Sequence, residues 1–345
     1  MTPNHVVLAQ AAHPEDLARP WLVHGGRALP LAVAAAGCAL AEADSLHDLL
    51  GEWGTAAPVL RELMESPRTH TAIRSSGIDL ADLAILAPVQ PAQAFCTIGN
   101  YAGQVIESAL DAGDGPHGRG APARRDDAMR QVEQRRQHGE PYICLTSSHR
   151  VAGPYGELPI PADVDSLDWE VEIAAVLGAG ENGVPVVAGY CVANDLTVRS
   201  RVMRTDVALS DWVQSKGVAG SLPVGPWFVP EWQVPDVSAL RLQLSLNGRL
   251  MQDDLAADMI FDVDAQIEYL SRHAVVSAGD ILCTGSPAGF GAHHNRFLRP
   301  GDEARARVVG LGEQVVTCVA AAPSTSGRRA DDLDCDSPER SIVHA

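Results

Sequence analysis

The chain has 345 residues, enough to bury a large core in one domain or two. It is 46% hydrophobic, 20% charged and only 5% aromatic, a balance that describes a water-soluble globular protein with an aliphatic core. A formal net charge of −18 argues against nucleic acid as a partner, because phosphate binding needs clustered Lys and Arg. The charge does not argue against a small anionic substrate, since a bound divalent ion can reverse the sign of its own pocket.

The seven cysteines, Cys38, Cys96, Cys144, Cys191, Cys283, Cys318 and Cys335, contain no Cys-x-x-Cys spacing, so neither a zinc knuckle nor a dithiol redox motif is indicated. Several sit in apolar runs, where a reduced thiol acts as a small core residue. Residues 1–10 lack a basic start and a long apolar run, and the apolar segment at 29–40 is too short to span a bilayer. A cytoplasmic protein without membrane attachment is expected.

In chain order, residues 1–90 read as a small N-terminal domain. His24-Gly25-Gly26-Arg27 predicts a hairpin turn, and residues 46–64 carry helical spacing at Leu46, Leu49, Leu50, Trp53, Val59, Leu60 and Leu63. Residues 94–101, Ala-Phe-Cys-Thr-Ile-Gly-Asn-Tyr, predict a buried strand ending in a polar turn. The stretch 102–140 is long, charged and glycine-rich at 111–120, which predicts a flexible lid-like insertion; His117 and His138 lie within it.

Asp168-Trp169-Glu170-Val171-Glu172-Ile173 follows, and strand alternation puts Glu170 and Glu172 on one side with Trp169, Val171 and Ile173 on the other. The two carboxylates are then about 7 Å apart at the backbone. A third, Asp195, arrives where the apolar run Val192-Ala193 breaks into Asn194-Asp195-Leu196-Thr197-Val198-Arg199. The competing reading is an ordinary strand with a solvated polar face. Farther on, Asn247-Gly248 is a hairpin signal, because both residues tolerate positive φ. Val263, Ile267 and Leu270 mark a helix over 263–272. Gly279-Asp280 leads into Ile281-Leu282-Cys283-Thr284-Gly285-Ser286-Pro287-Ala288-Gly289-Phe290-Gly291, whose glycines let the backbone approach a bound carboxylate. Residues 308–320 make a last strand or two, and 321–345 read as a disordered tail.

Taken together, Asp-Trp-Glu-Val-Glu-Ile at 168–173, Val-Ala-Gly-Tyr-Cys-Val-Ala-Asn-Asp-Leu-Thr-Val-Arg at 187–199, Leu-Asn-Gly-Arg at 246–249, Asp-Met-Ile-Phe at 258–261 and the glycine-rich block at 279–291 resemble the fumarylacetoacetate hydrolase superfamily, in its order, over roughly residues 91–320. The resemblance implies an α+β, β-rich fold, a mixed β-sandwich roll with a small N-terminal accessory domain, commonly a homodimer. It implies that Glu170, Glu172 and Asp195 bind Mg2+, or alternatively Mn2+ or Ca2+. It places Arg199 and Thr284 at the substrate, with Gly285 beside them, and Lys216 near the metal, where an ammonium group stabilises a developing enolate. The family's Asn-Tyr-x-x-His-x-x-Glu segment matches Asn100, Tyr101, Gln104 and Glu107. Glutamine stands where the family has its acid/base histidine, and it exchanges no proton near neutral pH. Glu107 alone, or a nearby histidine such as His138 in a Gln-His pair resembling that of the hydrolase that names the family, is the expected replacement.

Oxygen ligands favour a hard divalent ion over zinc. Such a site suits a small 2-oxo or β-diketo acid whose enolate forms when a neighbouring bond breaks. Carbon–carbon hydrolysis of an acylpyruvate-like acid is the leading expectation. Decarboxylation, tautomerisation and hydration share the enolate and stay open, as does a catalytically reduced relative that binds metal and metabolite.

Overall fold

The computed structural model describes residues 5–14, 17–112 and 120–322. His117 and all but the first two residues of the expected tail lie outside the described residues.

The N-terminal segment is a five-stranded sheet flanked by helices. Its strands Val7–Ala12, Arg19–His24 and Arg27–Pro30 form a meander, edged by Ile78–Asp79 and Ala84–Ile85. Gly25 and Gly26, at φ 57° and 80°, supply the tight turn that their sequence predicts. The helical run at 46–64 breaks at Glu52 into Leu46–Gly51 and Trp53–Glu65. Ser45 caps the first helix reciprocally with Asp48. The break turns the second helix so that Trp53, Ala56, Leu60 and Met64 are buried, while Val59, expected on the apolar face, is exposed.

The larger segment is built on two large sheets, beside three two-stranded ones. A six-stranded sheet runs in the order Val229–Pro230, Pro185–Asn194, Val171–Ala179, Ile281–Cys283, Ala94–Thr97, Ile143–Thr146. All its pairs are antiparallel except Ile281–Cys283 with Ala94–Thr97. A five-stranded sheet runs Arg249–Leu255, Arg241–Leu246, Glu303–Val308, Gly312–Ala320, Tyr155–Ile160. The Asn247-Gly248 turn closes its first hairpin with φ values of 50° and 80°.

The central strand Val171–Ala179 is buried on both faces, which overturns the solvated-face reading of Glu170 and Glu172. Trp169, Val171, Ile173 and Ala175 pack with Leu242, Leu244 and Val316 of the second sheet. Ala174 and Val176 pack toward Leu8, Leu22, Leu50 and Trp53 of the N-terminal segment. Both segments therefore share a core, and Leu8 and Phe228 exchange backbone hydrogen bonds across it.

The 102–140 stretch, expected as a flexible lid-like insertion, contains the helices Ala102–Asp111 and Ala121–His138 among its described residues. Ala, Arg, Gln, Glu and Met dominate the second, and these are good helix formers whatever their charge. Among the described residues, no helix is long and apolar enough to cross a membrane.

Where the segments meet, Glu231 lies beside Trp53, Arg61 and Trp232. Its Oε2 is buried with no hydrogen-bond partner among the described residues, and burial pushes its carboxyl up to about 7. The folded chain thus holds this proton more tightly than the unfolded chain, so the contribution is complete below the ordinary glutamate range and is lost as pH rises through 7. Glu231→Gln is expected to raise unfolding stability at pH 8 by about 1 kcal/mol, after discounting the full shift for partial exposure. The gain should shrink toward pH 5. Urea unfolding of both proteins at the two pH values measures it.

Candidate metal and substrate site

The site grows from the register of one hairpin. Val171 pairs with Asn194 at the open end of the two longest neighbouring strands, so the next residues outward, Glu170 and Asp195, become neighbours. The Asp195 amide donates to the Glu170 carbonyl at 2.9 Å, and the Glu170 amide donates to Asn194 Oδ1 at 2.9 Å. Glu172 lies one pleat farther in, on the same side as Glu170. One carboxylate oxygen from each of Glu170, Glu172 and Asp195 lies within 4.8 Å of the other two, and all three residues are buried.

Three cations surround them. Lys216, the last residue of helix Trp212–Lys216, is 2% exposed. Its Nζ donates to Asp195 Oδ2 and, at 2.8 Å, to Thr197 Oγ1, and lies 3.6 Å from Glu170 Oε2. Burial works against the ammonium form, but Asp195 and Glu170 outweigh it and hold Lys216 above the ordinary lysine range. Lys216 is thus a fixed positive charge. Arg199 Nε donates to Asp168 Oδ2 at 2.8 Å, its Nη2 lies 2.7 Å from Glu170 Oε1, and its guanidinium covers the Phe290 ring at 4.3 Å. The third cation is Arg150, whose Nη2 donates to Asp195 Oδ1 at 2.7 Å and whose Nε donates to Ser221 Oγ at 2.9 Å.

Four carboxylates, Asp168, Glu170, Glu172 and Asp195, therefore face three cations. Glu172 is the one without a cationic partner in contact. Among the described residues its Oε2 accepts only the Gly285 amide, at 2.7 Å. Burial, then the charges of Asp195 and Glu170, push its carboxyl well above the ordinary range. Burial likewise lifts Asp195 to about 6 despite Lys216 and Arg150. An all-oxygen donor set carrying uncompensated negative charge fits a hard divalent cation.

The 284–291 loop shapes the other wall. Gly285 has φ 97°, and a Cβ there would meet Asn100 Cβ at 2.8 Å, so only glycine presents this amide to Glu172. Asn100 is fully buried and pins the loop, donating to the carbonyls of Thr284 and Phe261. Thr284 donates its hydroxyl to the Ile173 carbonyl at 3.0 Å, so it offers a ligand only acceptor electron pairs. Gln104 Nε2 donates to Ser108 Oγ, and its Oε1 is buried without a hydrogen-bond partner among the described residues. Glu107 Oε2 accepts the Gly289 amide at 2.9 Å.

His138 is not brought to this cluster. It is the exposed last residue of helix Ala121–His138, because that helix carries it to its free end. Sequence reasoning missed Arg150 and Asp168. Arg150 carried no local signal, being a lone arginine before an apolar pair. Asp168 opens the Asp-Trp-Glu-Val-Glu-Ile block, where its acidic side chain was the available signal.

A family model described as fumarylacetoacetate (FAA) hydrolase C-terminal matches residues 93–319. A Burkholderia lata protein provisionally named a hydrolase is 34% identical over 185 residues, 51% of this chain and 64% of that relative, so the match spans less than two thirds of the relative's length. Among solved structures, a provisionally named HpcE protein from Mycobacterium smegmatis aligns with a TM-score of 0.68 at 27% identity, covering 91% of this chain and 99% of that one. A maleylpyruvate hydrolase from Sphingobium sp., in complex with manganese(II) and pyruvate, aligns with a TM-score of 0.65 at 22% identity, covering 92% and 100%. The carboxylate-bearing hairpin, the cation ring and the glycine-rich loop all fall inside the span that the family model matches, and the chain belongs to the fumarylacetoacetate hydrolase family.

Proposed function

We propose that the protein is a divalent-metal-dependent enzyme that hydrolyses the carbon–carbon bond of a small acylpyruvate-like acid through its enolate. The observation that carries this reading is the buried Glu170/Glu172/Asp195 cluster, whose negative charge Arg150, Arg199 and Lys216 leave incompletely balanced. These three carboxylates would hold Mg2+, Mn2+ or Ca2+, which when bound supplies Lewis acidity to the adjacent oxygens of a 2-oxo acid. The Sphingobium hydrolase, crystallised with manganese and pyruvate, supports that choice of ion and substrate class.

The protein's own groups account for the rest. Lys216, whose Nζ donates to Asp195 and Thr197, stabilises negative charge developing on the enolate oxygen. Arg199, held by Asp168 and Glu170 and stacked on Phe290, has a fixed guanidinium for a substrate carboxylate. The Gly285 amide orients Glu172, and Thr284 and Gln104 line the substrate side. Catalysis is assigned to residues 91–320 and an accessory role to 1–90. A homodimer in the cytoplasm is part of the same proposal. The exposed apolar residues Leu209 and Val213, close in sequence to Lys216, favour the dimer, and the buried free thiols favour the reducing compartment.

Elemental analysis of purified protein, with products of acetylpyruvate and oxaloacetate identified by NMR, tests the proposal. About one divalent ion per chain is expected, with acetate and pyruvate released in equal amounts from acetylpyruvate. Release of carbon dioxide from oxaloacetate with acetylpyruvate untouched would replace hydrolysis by decarboxylation. Failure to take up any divalent ion would overturn the reading.

A further inference from the structure

A second group of titratable residues meets at the far end of the glycine-rich loop. Glu107 and Asp111 lie one turn apart on helix Ala102–Asp111, and His293 approaches both. His293 Nδ1 is 3.0 Å from Asp111 Oδ2 and 3.1 Å from Oδ1, while Nε2 is 3.6 Å from Glu107 Oε1. An ionised carboxylate only accepts, so Asp111 fixes the proton on Nδ1 and leaves the basic electron pair on Nε2. At 3.6 Å that pair is not committed to Glu107.

The loop carrying His293 is tied to the carboxylate cluster at both ends. Gly285 donates to Glu172. Gly291 and Ala292 donate to Asp168 at 2.6 and 3.0 Å, Phe290 lies under Arg199, and Arg199 pairs with Glu170. His293 is two residues beyond Gly291, at most about 7 Å of chain. Within the cluster, Lys216, Arg150 and Arg199 are each engaged by carboxylates, and Gln104 carries no exchangeable proton near neutrality.

We infer that His293, oriented by Asp111 and seated beside Glu107, is the acid/base of the reaction proposed above, an inference that rests on that reading. Nε2 takes a proton from water as the water oxygen bonds to the acyl carbon. The carbon–carbon bond then breaks, its electron pair remaining with the pyruvate fragment as the enolate. The imidazolium returns the proton to C3 of that fragment, giving the carboxylic acid and pyruvate with no net gain of protons by the enzyme. Asp111 is a positioning residue, and Glu107 anchors the loop through Gly289 while facing the imidazole.

The last step run backwards is the test, and it needs no knowledge of the acyl group. In D2O with Mg2+, the wild-type protein is expected to exchange the methyl protons of pyruvate for deuterium, followed by proton NMR. His293→Gln should slow exchange by about 100-fold or more. Its metal content and pyruvate affinity should change less than about twofold, because the side chain is 40% exposed and touches neither ligand carboxylate nor cation of the cluster. Asp111→Asn should slow exchange by less than His293→Gln while leaving pyruvate affinity within about twofold, since the imidazole stays and only its orientation is lost. The charged groups facing this imidazole are Asp111 and Glu107, with His294 against its ring at 5.0 Å. Wild-type exchange rates in His293→Gln, or a wild-type protein that binds Mg2+ and pyruvate without exchanging protons, would overturn the assignment of His293 alone. A wild-type protein that binds neither Mg2+ nor pyruvate would overturn the proposed function and this inference with it.

Discussion

Glu172→Gln is expected to lose divalent metal and turnover together while remaining folded. Glu172 is 1% exposed, and among the described residues its only hydrogen bond comes from the Gly285 amide. Glutamine keeps the volume and can still accept that amide, so packing is preserved and only the charge is removed. Without it, Asp168, Glu170 and Asp195 stand opposite Arg150, Arg199 and Lys216, three against three. The metal-free variant should therefore unfold at the same temperature as the metal-free wild type, or above it, because burying an unbalanced charge is costly. Metal affinity should fall by more than the 10–100-fold typical of losing a residue that merely supports a ligand. Elemental analysis and melting curves with and without Mg2+ separate the two effects. A variant that keeps a stoichiometric ion and full turnover would remove Glu172 from the site.

Local chemistry made part of this site legible in the sequence. Glu170 and Glu172 share a side because strand alternation leaves no other arrangement, and Asp195 announces itself where an apolar run ends in Asn-Asp. Gly25-Gly26 and Asn247-Gly248 specify their turns through positive φ, a property of the residues themselves. What escaped is what depends on partners distant in sequence. Arg150 joins Asp195 only because residues 146 and 221 fold against it, and no spacing encodes that. His293 meets Glu107 across 186 positions, so Gln104 reads as a lost base until the loop is seen to deliver an imidazole from the other side. The helices at 102–111 and 121–138 were obscured by the glycine-rich segment between them, whose composition dominated the reading of the whole stretch.

Arg150→Met is expected to be the most destabilising single change in the site. Arg150 is 1% exposed, and its Nη2 also donates to the Leu196 carbonyl at 2.9 Å, so guanidinium and carboxylate are desolvated together. Methionine fills part of the space but leaves Asp195 with Lys216 alone, and removing one partner of a buried ion pair costs about 3–5 kcal/mol. Urea unfolding of the metal-free proteins should show that loss. Asp195→Asn added to Arg150→Met should recover part of it, because the stranded charge disappears; the double-mutant cycle isolates the pair. Added Mg2+ should also recover part of the loss in Arg150→Met, since a cation held by Glu170, Glu172 and Asp195 replaces the missing positive charge and binds only the folded chain. A loss of equal size with and without Mg2+, unchanged by Asp195→Asn, would instead mean that Arg150 acts through packing and its hydrogen bonds to Ser221 and Leu196. In that case Asp195 would owe its place to Lys216 and to the hairpin that carries it.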